Sequence, residues 1–126
     1  HYQNRTMHTL SEAENVLVEN GRILQIRKNI SKSLENQQIG EFLGIMMLSS
    51  EHVKILLERY SYLKKNHVGA FHNSSSLSNA YITDMLQEII NCGVTVNPIF
   101  TEGKWCEIDT PEDLKNAEKS INKFQS

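Results

Sequence analysis

The sequence is short of glycine, proline and cysteine, and each shortage narrows what the chain can do. Its six glycines form no cluster, so no glycine-rich loop is present to cradle a triphosphate. Two cysteines, Cys92 and Cys106, are too few for a disulfide framework and form no Cys-x-x-Cys pair. Both are expected to be reduced and to act as small buried hydrophobes. The five histidines show no zinc-ligand spacing. No apolar run approaches the ~20 residues that span a bilayer. A formal charge of -2 gives no electrostatic reason to expect nucleic acid or an anionic membrane as partner. The polar stretch His1 to Thr9 carries no signal-peptide pattern, and a cytoplasmic location is expected. No internal repeat or low-complexity tract is visible.

What is present is an ordinary globular composition, with 39% hydrophobic and 22% charged residues in 126 positions, enough for one domain or a large part of one. Asn15 to Arg27 reads as a β-hairpin, with Asn20-Gly21 supplying the two positive-φ positions of a type I′ turn. Val16 and Val18 share one face, and Leu24 and Ile26 repeat that spacing on the return arm. Ile30 to Gln38 reads as a loop. Gly40 to Leu48 reads as a buried strand, with Met46 and Met47 in the core. Ser49 or Ser50 caps the next helix, on which Val53, Leu56, Leu57 and Tyr60 lie at helical spacing.

A Ser-, Asn- and His-rich loop from Asn66 to Asn79 leads to a helix over Ala80 to Asn91. Ser78 is its expected cap, Ile82, Met85, Leu86, Ile89 and Ile90 its apolar face, and Gly93 its stop. Val94 to Phe100 alternates as a strand, with Pro98 at an edge or an end. A last strand over Trp105 to Asp109 runs into a helix with Thr110 as cap, Pro111 at its first position and Asp113 three residues after the cap. Its inward face is Leu114, Ala117 and Ile121. The set is mixed α/β or α+β.

The segment Lys104-Trp105-Cys106-Glu107-Ile108-Asp109-Thr110-Pro111-Glu112-Asp113-Leu114 carries the chemistry. On a strand, Glu107 and Asp109 point the same way. Like charges that close repel unless a cation lies between them, and Mg²⁺ prefers carboxylate oxygens. The alternatives are a helix-start carboxylate at Asp109 and a solvent-facing strand acid at Glu107.

This segment resembles the C-terminal metal motif of the nucleotidyltransferases that activate sugar phosphates and small head groups. Ala80 to Ile90 followed by Gly93 to Val96, Gly40 to Ile45, and Asn20 to Leu24 leading to Lys28 resemble three further segments of that family, in the same order. The strings Thr83-Asp84-Met85-Leu86-Gln87-Glu88 and Gly40-Glu41-Phe42-Leu43-Gly44 look closest to phosphocholine and 2-aminoethylphosphonate cytidylyltransferases, including those joined to phosphoenolpyruvate mutase.

The resemblance implies a Rossmann-like α/β fold, of which this chain would be the C-terminal portion, with a mixed sheet, the hairpin and about three helices. It implies Mg²⁺-dependent transfer of a nucleotidyl group, CMP from CTP, to a small phosphorylated or phosphonate acceptor, with release of pyrophosphate. The family's glycine-rich loop and the aspartate that completes its metal site have no counterpart here. Residues 1–126 are therefore expected to be the acceptor- and metal-binding half of a nucleotidyltransferase domain, inactive alone and prone to self-association. Sugar-phosphate nucleotidyl transfer, and a non-catalytic remnant that binds a partner or closes a dimer, are the other readings.

Residue by residue, the resemblance assigns Glu107 and Asp109 to the metal. Lys28 would take the acceptor's phosphate or phosphonate, against a plain solvated lysine. Glu41 would meet an ammonium, against a structural hydrogen bond. Asp84 would touch the head group, against a favourable helix-dipole position. Tyr81 and Trp105 would face the ammonium by cation–π contact, against core packing at Trp105.

Overall fold

The computed structural model describes residues 14–31, 34–101 and 105–124, with the side chains of 120–124 left aside. The chain divides into two compact units, Ala13–Pro98 and a second that carries the described residues from Ile99 on. The elements are β1 (Asn15–Glu19), β2 (Arg22–Arg27), β3 (Gln37–Glu41), α1 (Ser50–Asn66), a 3-10 turn (Leu77–Asn79), α2 (Ile82–Asn91) and α3 (Pro111–Phe124). The described residues form a small α/β protein with one three-stranded antiparallel sheet, in the order β2-β1-β3, and three α-helices.

The hairpin forms as its turn dictates. Asn20 and Gly21 lie at φ of 51° and 73°, the left-handed pair that a two-residue turn needs to match strand twist. Register then shifts between Leu17 and Val18, so that Val18 faces Ile23 while Leu17 faces Gln25. Leu24 is the extra residue of a β-bulge. Simple alternation placed Leu24 inward with Ile26. The bulge instead turns Ile23 and Ile26 to the core face and leaves Leu24 38% exposed. The core joins Val16, Val18 and Ile26 of the hairpin to Leu86 and Ile89 of α2. A second cluster, Leu63, Phe71 and Met85, ties α1 and the following loop to the same helix.

Three expected strands are corrected. The sheet is antiparallel rather than mixed, and β3 ends at Glu41. Gly44 adopts φ of 76°, a left-handed conformation that turns the chain out of strand geometry. Ile45 and Met47 are consequently 76% and 90% exposed, and Met46 is exposed as well. Val94 to Phe100 is not a strand. It meets the outer edge of β2 through a single Ile23 N–H to Val96 C=O bond of 2.9 Å, and Pro98 has no N–H to extend a ladder. The described residues of 105–109 likewise form no strand.

The helix signals fare better. Ser49 caps α1 by accepting from His52 N–H, although Val53, Leu57 and Tyr60 on that helix are exposed and Leu63 is its buried residue. α2 starts at Ile82 with Tyr81 at the cap position, not Ser78. Its end is as expected. Gly93 N–H bonds Ile90 C=O and Val94 N–H bonds Ile89 C=O, the paired closure of a Schellman motif. Met85, Leu86 and Ile89 are buried, and Ile82 is exposed. In α3, Thr110 Oγ1 accepts from Asp113 N–H while Asp113 Oδ2 accepts from Thr110 N–H, a complete capping box. Ala117 is buried there, Leu114 is exposed, and the Ile121 side chain lies outside the described residues. Both cysteines are free but exposed, Cys92 at the end of α2 and Cys106 in an irregular segment, so neither is the buried hydrophobe expected.

Ile89 is wholly buried where the hairpin meets α2. Ile89→Ala is expected to destabilise this unit by about 3 kcal/mol, read as a lower urea midpoint for loss of helical circular dichroism with unchanged slope.

Candidate functional site

The bulge decides which charges meet at the open end of the sheet. Asn15 pairs with Arg27 on one side and Glu41 on the other. Beyond that row the Phe42 N–H to Glu14 C=O bond of 2.8 Å continues the β1–β3 pairing, and Lys28 follows the last residue of β2. Side chains alternate across a sheet. Glu14 and Phe42 thus share the face of Val16 and Ile26, which packs on α2, while Arg27, Asn15 and Glu41 occupy the reverse face.

Glu14 is half-buried and Lys28 is exposed. Burial pushes the Glu14 carboxyl above its ordinary range. Lys28 opposes that shift, the Asp84 charge adds to it, and a hydrogen bond from the Thr83 hydroxyl opposes it. The structure thus gathers Lys28, Glu14, Thr83 and Asp84 where the sheet meets the first turn of α2.

Asp84, 2% exposed, is a clamp. Its carboxylate accepts from Asn73 N–H at 3.1 Å, Ser74 Oγ at 2.8 Å and Tyr81 N–H at 3.0 Å. It caps α2 and holds the tight turn in which Phe71 and Ser74 exchange both backbone bonds. One helical turn on, Glu88 fastens the same loop. It accepts from Arg59 Nε at 2.8 Å and Nη2 at 2.5 Å on one oxygen, and pairs with His72 Nε2 at 2.8 Å on the other. Burial would raise the Glu88 carboxyl, but Arg59 and His72 outweigh it and hold the group below the usual carboxylate range. His72 adopts φ of 48° to make this contact and meets Phe71 edge-on.

Of the residues singled out from the sequence, Lys28 and Asp84 are brought to one place, with Tyr81 exposed beside them at the cap of α2. Glu41 is half-buried on the opposite face of the sheet. Trp105, Glu107 and Asp109 belong to the other unit, where Glu107 and Asp109 are exposed and Trp105 is half-buried. Residues 105–109 are not assigned to a strand, so the i and i+2 spacing alone does not fix the two acids to one side. No group of three potential metal ligands occurs among the described residues. As exposed carboxylates, Glu107 and Asp109 fit a hard cation as two ligands of a larger set. Among the described residues no helix is long and apolar enough to cross a membrane.

Sequence reasoning passed over Glu14, Arg59, His72 and Glu88. Glu14 had a signal, an acid heading an apolar strand arm whose return arm is followed by Lys28. The Arg59, His72 and Glu88 set comes from three distant segments and left none. Comparison with protein-family models, curated proteins and solved structures finds no match.

Two stability predictions follow from the carboxylates. Glu88 has a lowered folded pKa, so its contribution is full above the unfolded value of about 4.3 and is lost as pH falls through the folded one. Glu88→Gln is expected to lower the urea midpoint at pH 7 and to flatten the decline of that midpoint on acidification. A parallel decline in both proteins would remove Glu88 as its source. Asp84→Ala strands two backbone donors and a hydroxyl, and is expected to cost about 3 kcal/mol and to speed amide exchange at Asn73 and Tyr81.

Proposed function

We propose that this chain supplies the acceptor side and part of the metal site of a nucleotidyltransferase. The reaction is transfer of CMP from CTP to a small phosphorylated or phosphonate acceptor, with release of pyrophosphate. A phosphate or phosphonate oxygen of the acceptor attacks the α-phosphorus. The bond to the bridging oxygen breaks, and pyrophosphate leaves with that electron pair. Such a displacement requires in-line positioning and charge neutralisation rather than a covalent nucleophile.

The observation that supports this reading best is the start of α3. The Asp113 carboxylate accepts from Asp109 N–H, Thr110 N–H and Thr110 Oγ1, and Thr110 Oγ1 accepts in turn from Asp113 N–H. The cap is thus built from Thr110 and Asp113, which weakens the reading of Asp109 as the helix-start carboxylate. Glu107 and Asp109 lie exposed in the segment ahead of it. They would hold a Mg²⁺ ion whose charge offsets that of the α-phosphate and the incoming oxygen. Lys28, exposed at the sheet end, would hold the acceptor's anionic group as a point charge. The four ordered segments that resemble the family add support. The nucleotide itself is assigned to a glycine-rich segment that this sequence does not carry.

The test is pyrophosphate release by the gene product that carries this chain, with Mg²⁺ and CTP, UTP or dTTP against phosphocholine, 2-aminoethylphosphonate and glucose 1-phosphate. CTP with an amine-bearing acceptor is the expected pair, and Asp109→Ala is expected to lower kcat by about 10²–10³ while leaving the circular dichroism spectrum unchanged. Turnover with glucose 1-phosphate alone would move the assignment to sugar phosphates. Full activity in Asp109→Ala would place the metal elsewhere.

A further inference from the structure

We propose that the outer edge of β3 is the contact surface for a second copy of this chain, the two β3 strands pairing antiparallel about a two-fold axis at Gly40. The sheets of the two copies then join into one. Such pairing is independent of nucleotidyl transfer and names the edge through which the chain self-associates.

The two edges of the sheet differ. The outer edge of β2 is closed. Gln87 of α2 lies along it as a strand would, its Oε1 accepting from Ile26 N–H at 2.7 Å and its Nε2 donating to Leu24 C=O at 3.3 Å. Ile23 N–H is taken by Val96 C=O at 2.9 Å. On β3 the Phe42 N–H to Glu14 C=O bond fixes which peptide groups face β1. Bonding alternates along an antiparallel ladder, so Gln38, Gly40 and Phe42 bond toward β1, while the peptide groups of Ile39 and Glu41 point outward. Among the described residues nothing bonds those outward groups, and Ile39 is 42% exposed. An edge with a row of unpaired donors and acceptors is a template for another strand.

A second copy fits this edge in a definite register. A two-fold at Gly40 sets Ile39 opposite Glu41 of the other copy and Glu41 opposite its Ile39, so that the outward N–H and C=O groups of both satisfy each other. A two-fold at Ile39 would instead call on the Gln37 N–H, which Leu34 C=O already holds at 3.2 Å. Gly40 itself supports the axis. Among the described residues, a Cβ there would meet nothing within 4 Å, so no contact inside the chain requires glycine. Glycine in mid-strand costs stability, and it marks places where another backbone approaches closely. On the axis, Gly40 faces its own copy as a pair without hydrogen bonds, the closest approach of two strands, at about 4.5 Å between Cα atoms. The antiparallel run also carries the exposed Ile45, Met46 and Met47 that follow β3 toward the exposed Leu34 that precedes it in the other copy. Because the β2 edge is closed, no further sheet can add there, and pairing ends at two copies.

The experiment is sedimentation equilibrium of the chain over micromolar concentrations, with the variants Ile39→Pro and Ile39→Lys. Proline at this position removes an outward N–H and leaves the ladder to β1 intact. Wild type is expected to pass from monomer to dimer as concentration rises. Ile39→Pro is expected to weaken the dimer about tenfold or more, with an unchanged circular dichroism spectrum. Should Ile39→Pro fail to fold, Ile39→Lys, which puts a charge on the edge without altering the backbone, is expected to weaken the dimer likewise. In wild type the amides of Ile39 and Glu41 are expected to exchange more slowly as concentration rises. A wild type that stays monomeric hands the edge to some other chain and overturns the proposal. A dimer that survives the folded variants, exchange at Ile39 and Glu41 that ignores concentration, or growth beyond the dimer overturns it as well.

Discussion

The buried carboxylate of Asp84 is the interaction on which the Ala13–Pro98 unit turns. It satisfies the cap of α2 and two donors of the Phe71–Ser74 turn at once, so the helix and the loop before it cannot be positioned separately. α2 in turn is the helix on which the hairpin packs, through Leu86 and Ile89 against Val16, Val18 and Ile26. Its first turn carries Thr83 to the Glu14 carboxyl. Loss of the Asp84 bonds therefore disturbs not one contact but the frame that sets Glu14 and Lys28 against α2. A buried carboxylate is tolerable only with such satisfaction, and here three donors provide it.

The bulge at Leu24 is the second constraint, and it acts through counting. In a regular hairpin closed by Asn20-Gly21, Val16 would oppose Gln25 and Glu14 would oppose Arg27. With the extra residue, Val16 opposes Ile26 and Asn15 opposes Arg27. One inserted residue thus improves the core and re-aims the charges at the sheet end together, which is a recurrent use of β-bulges near functional sites.

This explains what was and was not legible in the sequence. The features set by local backbone chemistry could be read directly: the positive-φ pair at Asn20 and Gly21, the Ser49 cap, the Gly93 closure, and the Thr110 and Asp113 box. Each depends on residues within a turn or two. The strand expected over Gly40 to Leu48 failed because an apolar run states a preference for burial, not the presence of a partner to bury against. The sheet stops at Glu41, and the Gly44 conformation leads the chain away. The bulge was hidden because Ile23, Leu24 and Ile26 fit two registers equally well in hydrophobicity. The Arg59, His72 and Glu88 set was hidden because it is assembled by tertiary packing of α1, the loop and α2.

Glu14 and Glu88 make a useful contrast. Burial acts on both carboxyls in the same direction, but Glu88 is met by a guanidinium and an imidazole on its two oxygens, and its charged form is favoured. Glu14 has one mobile lysine and a hydroxyl, and its charged form is disfavoured. A fold selected for stability alone would gain by replacing Glu14 with a neutral residue, since uncompensated desolvation of a carboxylate only costs free energy. Glu88, five residues after Thr83 on the same helix, shows what a fully compensated carboxylate looks like here. Glu88 is thus a completed fastening between α1, the loop and α2, whereas the fold offsets the desolvation of Glu14 only in part.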